Sequence, residues 1–102
     1  MAEREIELDT IYGGTKAVAT VYGAFGVHDS EWGGAFVVTH IPTGRALTFA
    51  APSKQSGLRL ARMLTRCGAR WSFSKIEKMP KRTKALGKAA LERWNQHRLA
   101  LR

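Results

Sequence analysis

Three arginines, Arg59, Arg62 and Arg66, are spaced so that a helix would bring them together. At about 100° per residue they fall within about 60° of arc, and Gln55 joins them. A guanidinium is a planar fork of donors that grips phosphate or carboxylate oxygens two at a time. A stripe of them suits successive charges of a polyanion, with release of the counterions held there. Arg70 extends the stripe. A second cationic set follows in Lys81, Arg82, Lys84 and Lys88. Lys81, Lys84 and Lys88 share one helical arc with Asn95 and Arg102, and Arg82, Arg93 and Arg98 flank it. We expect Arg59, Arg62, Arg66, Arg70, Lys81, Arg82, Lys84 and Lys88 to be phosphate contacts.

Other chemistry is poorly supplied. His28, His40 and His97 share no ligand spacing such as HxxxH, and the one cysteine, Cys67, cannot hold a zinc without three further ligands. On the inner side of a helix, Cys67 reads as a small hydrophobe. His28-Asp29 with Glu31 forms a polar cluster in a turn, with nothing to position a nucleophile or an oxyanion donor. No GxxxxGK[ST] or GxGxxG is present. The expectation is a protein that is not an enzyme and carries no metal and no cofactor.

The elements that must position the cations can be read from periodicity. Residues 3–12 alternate acid and apolar, the period of a half-buried strand. Residues 16–28 are rich in β-branched and aromatic types and read as one strand, bent or bulged at Gly23 and Gly26. Residues 28–34 read as a polar turn. Residues 35–41 form the clearest strand, Pro42-Thr43-Gly44-Arg45 a turn, and 46–50 the returning strand. Ser53 is placed to cap a helix over 54–67 that Gly68 ends. Leu60, Ala61, Leu64 and Cys67 should face the sheet. Residues 69–80 allow a short strand or an extended clamp, and a long helix runs from Pro80 to Leu101 with Leu86, Ala90, Trp94 and Leu101 as its apolar arc. Gly87 permits a bend within it. The expected fold is α+β: an antiparallel sheet of three to four strands followed by two helices packed on one face, as one domain over residues 1–102, with a β scaffold over 1–52 and a basic helical half over 53–102.

Charge divides along the same line. Residues 1–52 hold three basic and six acidic side chains, a net of −3, whereas residues 53–102 hold fourteen basic and two acidic ones, a net of +12. That asymmetry favours a polyanion-binding segment on a more neutral scaffold. A merely solvated basic helix would usually be laced with acids at i±4. An amphipathic helix on an anionic membrane shares the basic face, but the few apolar residues here are needed by the core, and no membrane association is expected. The acidic opening, with no basic n-region, does not read as a signal peptide, no apolar run approaches about 20 residues, and a single thiol suits a reducing compartment. The expected location is cytoplasmic.

Glu3, Glu5 and Glu7, with Asp9, would project from one face of the opening strand. There they would resist edge-to-edge pairing, cover part of the basic half, or dock on a basic partner. Trp32, in a polar turn beside two glycines, is the best candidate for an exposed partner contact. The remaining aromatics, Tyr22, Phe25, Phe36, Phe49, Trp71 and Phe73, read as core rather than as a base-stacking platform. Phosphate contact is thus better supported than sequence readout.

The stretch Thr39-His40-Ile41-Pro42-Thr43-Gly44, followed by a strand and a helix, resembles a hairpin of small proteins of bacteriophages and mobile elements. The resemblance covers residues 32–67 and carries no activity of its own. It implies a phage or mobile-element product that binds nucleic acid or blocks a host nucleoprotein. Two functions follow. One is a small basic nucleic-acid-binding protein, for DNA or RNA, acting mainly through the phosphate backbone. The other is a non-enzymatic inhibitor or adaptor that binds a host protein or nucleoprotein complex, such as an anti-defence protein of the anti-CRISPR type.

Overall fold

The computed structural model describes residues 2–10, 13–30 and 33–100, with side chains except at positions 10, 13 and 98–100. The strands are β1 (Ala2–Thr10), β2 (Gly13–Tyr22), β3 (Phe25–Asp29), β4 (Phe36–His40) and β5 (Arg45–Ala51). They form one antiparallel sheet in the order β1-β2-β3-β4-β5, a meander. Two helices follow, α1 (Lys54–Arg66) and α2 (Lys81–Ala100), with a single 3-10 turn at Ile76–Lys78 between them. The α+β class is as expected, but the sheet has five strands rather than three to four. The extra strand comes from residues 16–28, which are not one bent strand. Tyr22 pairs with Phe25 across the two-residue turn Gly23-Ala24. Gly23 has φ of +59°, the conformation that a tight hairpin needs at its first turn position.

The β1–β2 hairpin is longer than the sheet it joins. Nine residue pairs link β1 to β2, but only Thr20, Val21 and Tyr22 of β2 pair with β3. The free arm lies over the sheet, where Ile6 and Ala19 are buried against Gly26: a Cβ added at Gly26 would lie 2.9 Å from the Ala19 methyl and 3.0 Å from Ile6 Cδ1. The arm is pinned to the β4–β5 turn. The Asp9 N–H donates to the Gly44 carbonyl at 2.9 Å, and Arg45 Nε donates to the Asp9 carboxylate at 2.9 Å. Gly44 has φ of +71°, and a Cβ there would stand 2.8 Å from the Asp9 nitrogen. Turn geometry and close approach thus require glycine at one position.

Helix α1 covers the opposite face. Leu58, Leu60, Ala61 and Leu64 are buried with Phe25, Val27, Val38 and Ala51. Gly57 lets the backbone settle onto the sheet, since a Cβ there would be 2.7 Å from Val27 Cγ1. Ser53 caps α1 as its sequence indicates, its hydroxyl accepting from the Ser56 N–H at 3.1 Å. Helix α2 packs chiefly on α1 and runs antiparallel to it. Trp94, 1% exposed, donates its indole N–H to the Ser56 carbonyl at 2.9 Å, near the start of α1. At the other end, Thr83 donates to the Arg70 carbonyl at 3.0 Å.

Residues 69–80 are an extended strap, not a strand. Trp71 anchors it: the ring meets Phe25 edge-on at 4.9 Å, and its N–H donates to the Leu64 carbonyl at 2.8 Å. His40 Nε2 donates to the Trp71 carbonyl at 2.7 Å, leaving Nδ1 to accept from the Thr43 hydroxyl at 2.9 Å. Burial holds the His40 imidazole below its usual pKa, opposed by the bond to Trp71. Phe49 departs from the core assignment and is 69% exposed. The β4–β5 register shifts between Phe36/Val38 and again between Val38/Thr39, so bulges break the alternation and turn Phe49 outward.

Candidate nucleic-acid interface

The α1–α2 seam is built from side chains of opposite kinds. Seen along α1, Leu60, Ala61 and Leu64 point at the sheet, which leaves Arg59, Arg62 and Arg66 on the solvent side. Across the seam, α2 contributes Arg93. These four guanidinium-bearing residues line a groove of about 400 Å³ whose other walls are Met63, Cys67, Leu86, Ala89 and Ala90. Among the described residues no carboxylate lines it. Arg62 is held partly in place, its guanidinium carbon 5.8 Å from the centroid of the Tyr22 ring, a cation–π contact.

The ion pairs of the described residues lie elsewhere. They join Lys16 to Glu5 at 3.6 Å, Arg45 to Asp9 at 2.9 Å and Lys54 to Glu3 at 3.7 Å. All three are exposed, and such pairs contribute little stability. Glu3 and Glu5 therefore face lysines of the scaffold and of the first turn of α1, and among the described residues they neutralise no helix cation beyond Lys54. Glu7 is exposed beside Asp9 on the arm of β1, an edge strand. A second hollow of about 400 Å³ lies between this arm and the β4–β5 turn, but Glu7 and Asp9 share it with Lys16, so it has no single polarity.

The eight cations expected to act together do not form one surface. Arg59, Arg62 and Arg66 are brought to the groove. Arg70 and Arg82 are exposed at one end of the helix pair, where the Arg70 carbonyl is bonded to Thr83. By helical geometry Arg82 shares the stripe of Leu86, Ala89 and Arg93, about 20° from Arg93. Lys81, Lys84 and Lys88 are exposed but lie about 120° or more around α2 from Arg93. The reason is mechanical: α2 turns Thr83, Ala90 and Trp94 inward, and the lysine arc, opposite to them, points away from α1. Arg93, in contrast, sits on the flank that meets α1 and belongs to the site. The sequence marks it only as a flanking cation, because its role depends on which side of α2 meets α1.

Other expectations shift as well. Cys67 is not turned fully inward: it caps α1, is partly buried, and lines the groove while its thiol bonds to the Leu64 carbonyl at 3.1 Å. His28 belongs to β3 rather than to a turn, is buried, and its Nε2 accepts from the Thr39 hydroxyl at 2.8 Å. Trp32 and Glu31 lie outside the described residues. Among the described residues no three His, Cys, Asp or Glu side chains gather as a metal site, and no helix is long and apolar enough to cross a membrane. Compared with known proteins, the chain matches no family model, no curated protein and no solved structure.

Proposed function

We propose that this chain binds nucleic acid through its phosphate backbone, with the α1–α2 groove as the seat and Arg59, Arg62, Arg66 and Arg93 as the contacts. The observation that carries the reading is the convergence of four guanidinium-bearing residues on one concave surface, with no carboxylate beside them among the described residues. Like charges kept this close without counter-charge raise the cost of the free state, and a polyanion relieves it. Guanidinium is also the cation best shaped to hold a phosphate by two hydrogen bonds. Arg70 and Arg82 are exposed beyond one end of the groove and are not among these contacts. Since the contacts are to phosphate, binding depends weakly on sequence and steeply on salt.

The test is fluorescence anisotropy with labelled oligonucleotides of unrelated sequence at low and moderate salt. Binding to all of them is expected, with uniform weakening in the Arg59→Glu/Arg66→Glu variant. No binding at low salt, or unchanged affinity in that variant, removes the proposal.

A further inference from the structure

We infer that the groove takes single-stranded nucleic acid, with a base laid on its apolar floor and the neighbouring phosphates on its arginine rim; the inference rests on the reading just given. The floor carries most of it. Met63, Leu86, Ala89 and Ala90 offer nothing to a phosphate, whose desolvation against them would be unfavourable. They do suit the face of a base, which is apolar whatever its identity. A duplex keeps its bases stacked inside and presents a convex backbone, which leaves a concavity of about 400 Å³ unfilled. An unpaired strand can turn a base into it.

The surroundings of α1 point the same way. A recognition helix must protrude to enter the major groove, which is about 12 Å wide. Helix α1 does not protrude: α2 packs along one side, and on the other Tyr22 stands under Arg62 while Thr65 abuts Gly23. Two helices side by side at an axial spacing of 8–10 Å form a layer about 20 Å across, too wide for that groove. The rim also has the right layout. Arg59 and Arg66 are about 10 Å apart along α1, with Arg93 on the opposite bank, so cations flank the floor on both sides.

Three labelled probes of equal length decide it: oligothymidylate, the same backbone with abasic sites, and a duplex. Oligothymidylate is expected to bind about fivefold or more tightly than the abasic strand, the low end for base contacts because none of the described floor residues is aromatic. Ala89→Leu fills the groove at an exposed position without changing charge. It should abolish that difference by bringing oligothymidylate down to the affinity of the abasic strand. Cys67 supplies a second readout in the unaltered protein: its alkylation should slow with oligothymidylate and hardly at all with duplex at equal occupancy. Equal affinity for base-bearing and abasic strands, or equal protection of Cys67 by duplex, overturns base seating while leaving phosphate binding intact. Failure of all three probes to bind overturns the underlying function as well.

Discussion

The salt dependence of binding counts the cations in the interface. For a single strand the logarithm of affinity falls with the logarithm of salt by about 0.7 per phosphate neutralised. Four groove arginines, Arg59, Arg62, Arg66 and Arg93, give a slope of about −2.8, so raising salt from about 50 to 200 mM should weaken binding about 50-fold. Replacing Arg59 and Arg66 by Gln leaves two contacts, a slope of about −1.4, and only about a sevenfold loss over the same range. If instead the eight cations expected from sequence were the contacts (Arg59, Arg62, Arg66, Arg70, Lys81, Arg82, Lys84 and Lys88, without Arg93), the slope would be about −5.6 and the loss about 2,000-fold. These outcomes are far enough apart for anisotropy titrations at several salt concentrations to separate. The control is Lys81→Gln/Lys84→Gln/Lys88→Gln, which removes three charges from the far side of α2. All the substituted side chains are outside the buried core, so thermal melts should be unchanged and serve as a check. The lysine variant should keep the slope near −2.8. A slope lowered as far by the lysine substitutions as by the arginine ones, or a native slope near −5.6, would refute the groove as the seat.

Three more outcomes are expected. Gly57→Ala gains about 1 kcal/mol of helix propensity but forces a methyl to within 2.7 Å of Val27, and overpacking costs about 1–3 kcal/mol. Net destabilisation of about 1 kcal/mol in urea unfolding is expected, and a smaller cost of the same substitution in a Val27→Ala background; a more stable variant would mean that α1 is not seated this tightly. Trp94→Phe leaves the Ser56 carbonyl without its indole donor and should cost about 1–3 kcal/mol in the same assay, whereas no change would discount that bond. His40 titrates below 6.5 in the folded state because of burial, so the folded state prefers it neutral. Its contribution is complete above the unfolded value and is lost as pH falls from 6.5 through the folded value. Stability measured downward from neutral pH should therefore decline, and less steeply in His40→Gln; equal slopes would exclude His40 as the source.

The fold was legible where local chemistry and tertiary packing agree. The alternation of residues 3–10, the Pro42 to Gly44 turn, the Ser53 cap and Gly68 after α1, with φ of +87°, all appear as their residue types dictate. It was not legible where a short turn hides inside a β-rich run. Gly23-Ala24 joins two strands with no polar residue to mark the break, so 16–28 reads as continuous. Nor does alternation survive a bulge: Phe49 follows the pattern of a buried aromatic, yet the register shifts in β5 turn it to solvent. The burial of Thr83 had no local signal either, since its place depends on the Arg70 carbonyl of the strap.

The candidate site shows the same division between what one helix fixes and what two helices decide. Within α1 the arginine stripe follows from spacing alone, because the opposite face must meet the sheet. Between the helices it does not. A helical wheel orders the residues of α2 but says nothing of which flank meets α1, and that contact makes Arg93 a groove residue and sends Lys81, Lys84 and Lys88 elsewhere. Both banks of the groove are outgrowths of the same core, in which Leu60, Leu64, Ala90 and Trp94 are buried together. The helices are thus fixed before any ligand arrives. Only the arginine side chains remain to be ordered, at about 0.5–1.5 kcal/mol each, and Arg62, already resting on Tyr22, should be the least costly. An affinity carried by so few contacts depends on that rigidity. Loosening α2 from α1 through Trp94 should therefore weaken binding without removing a single charge.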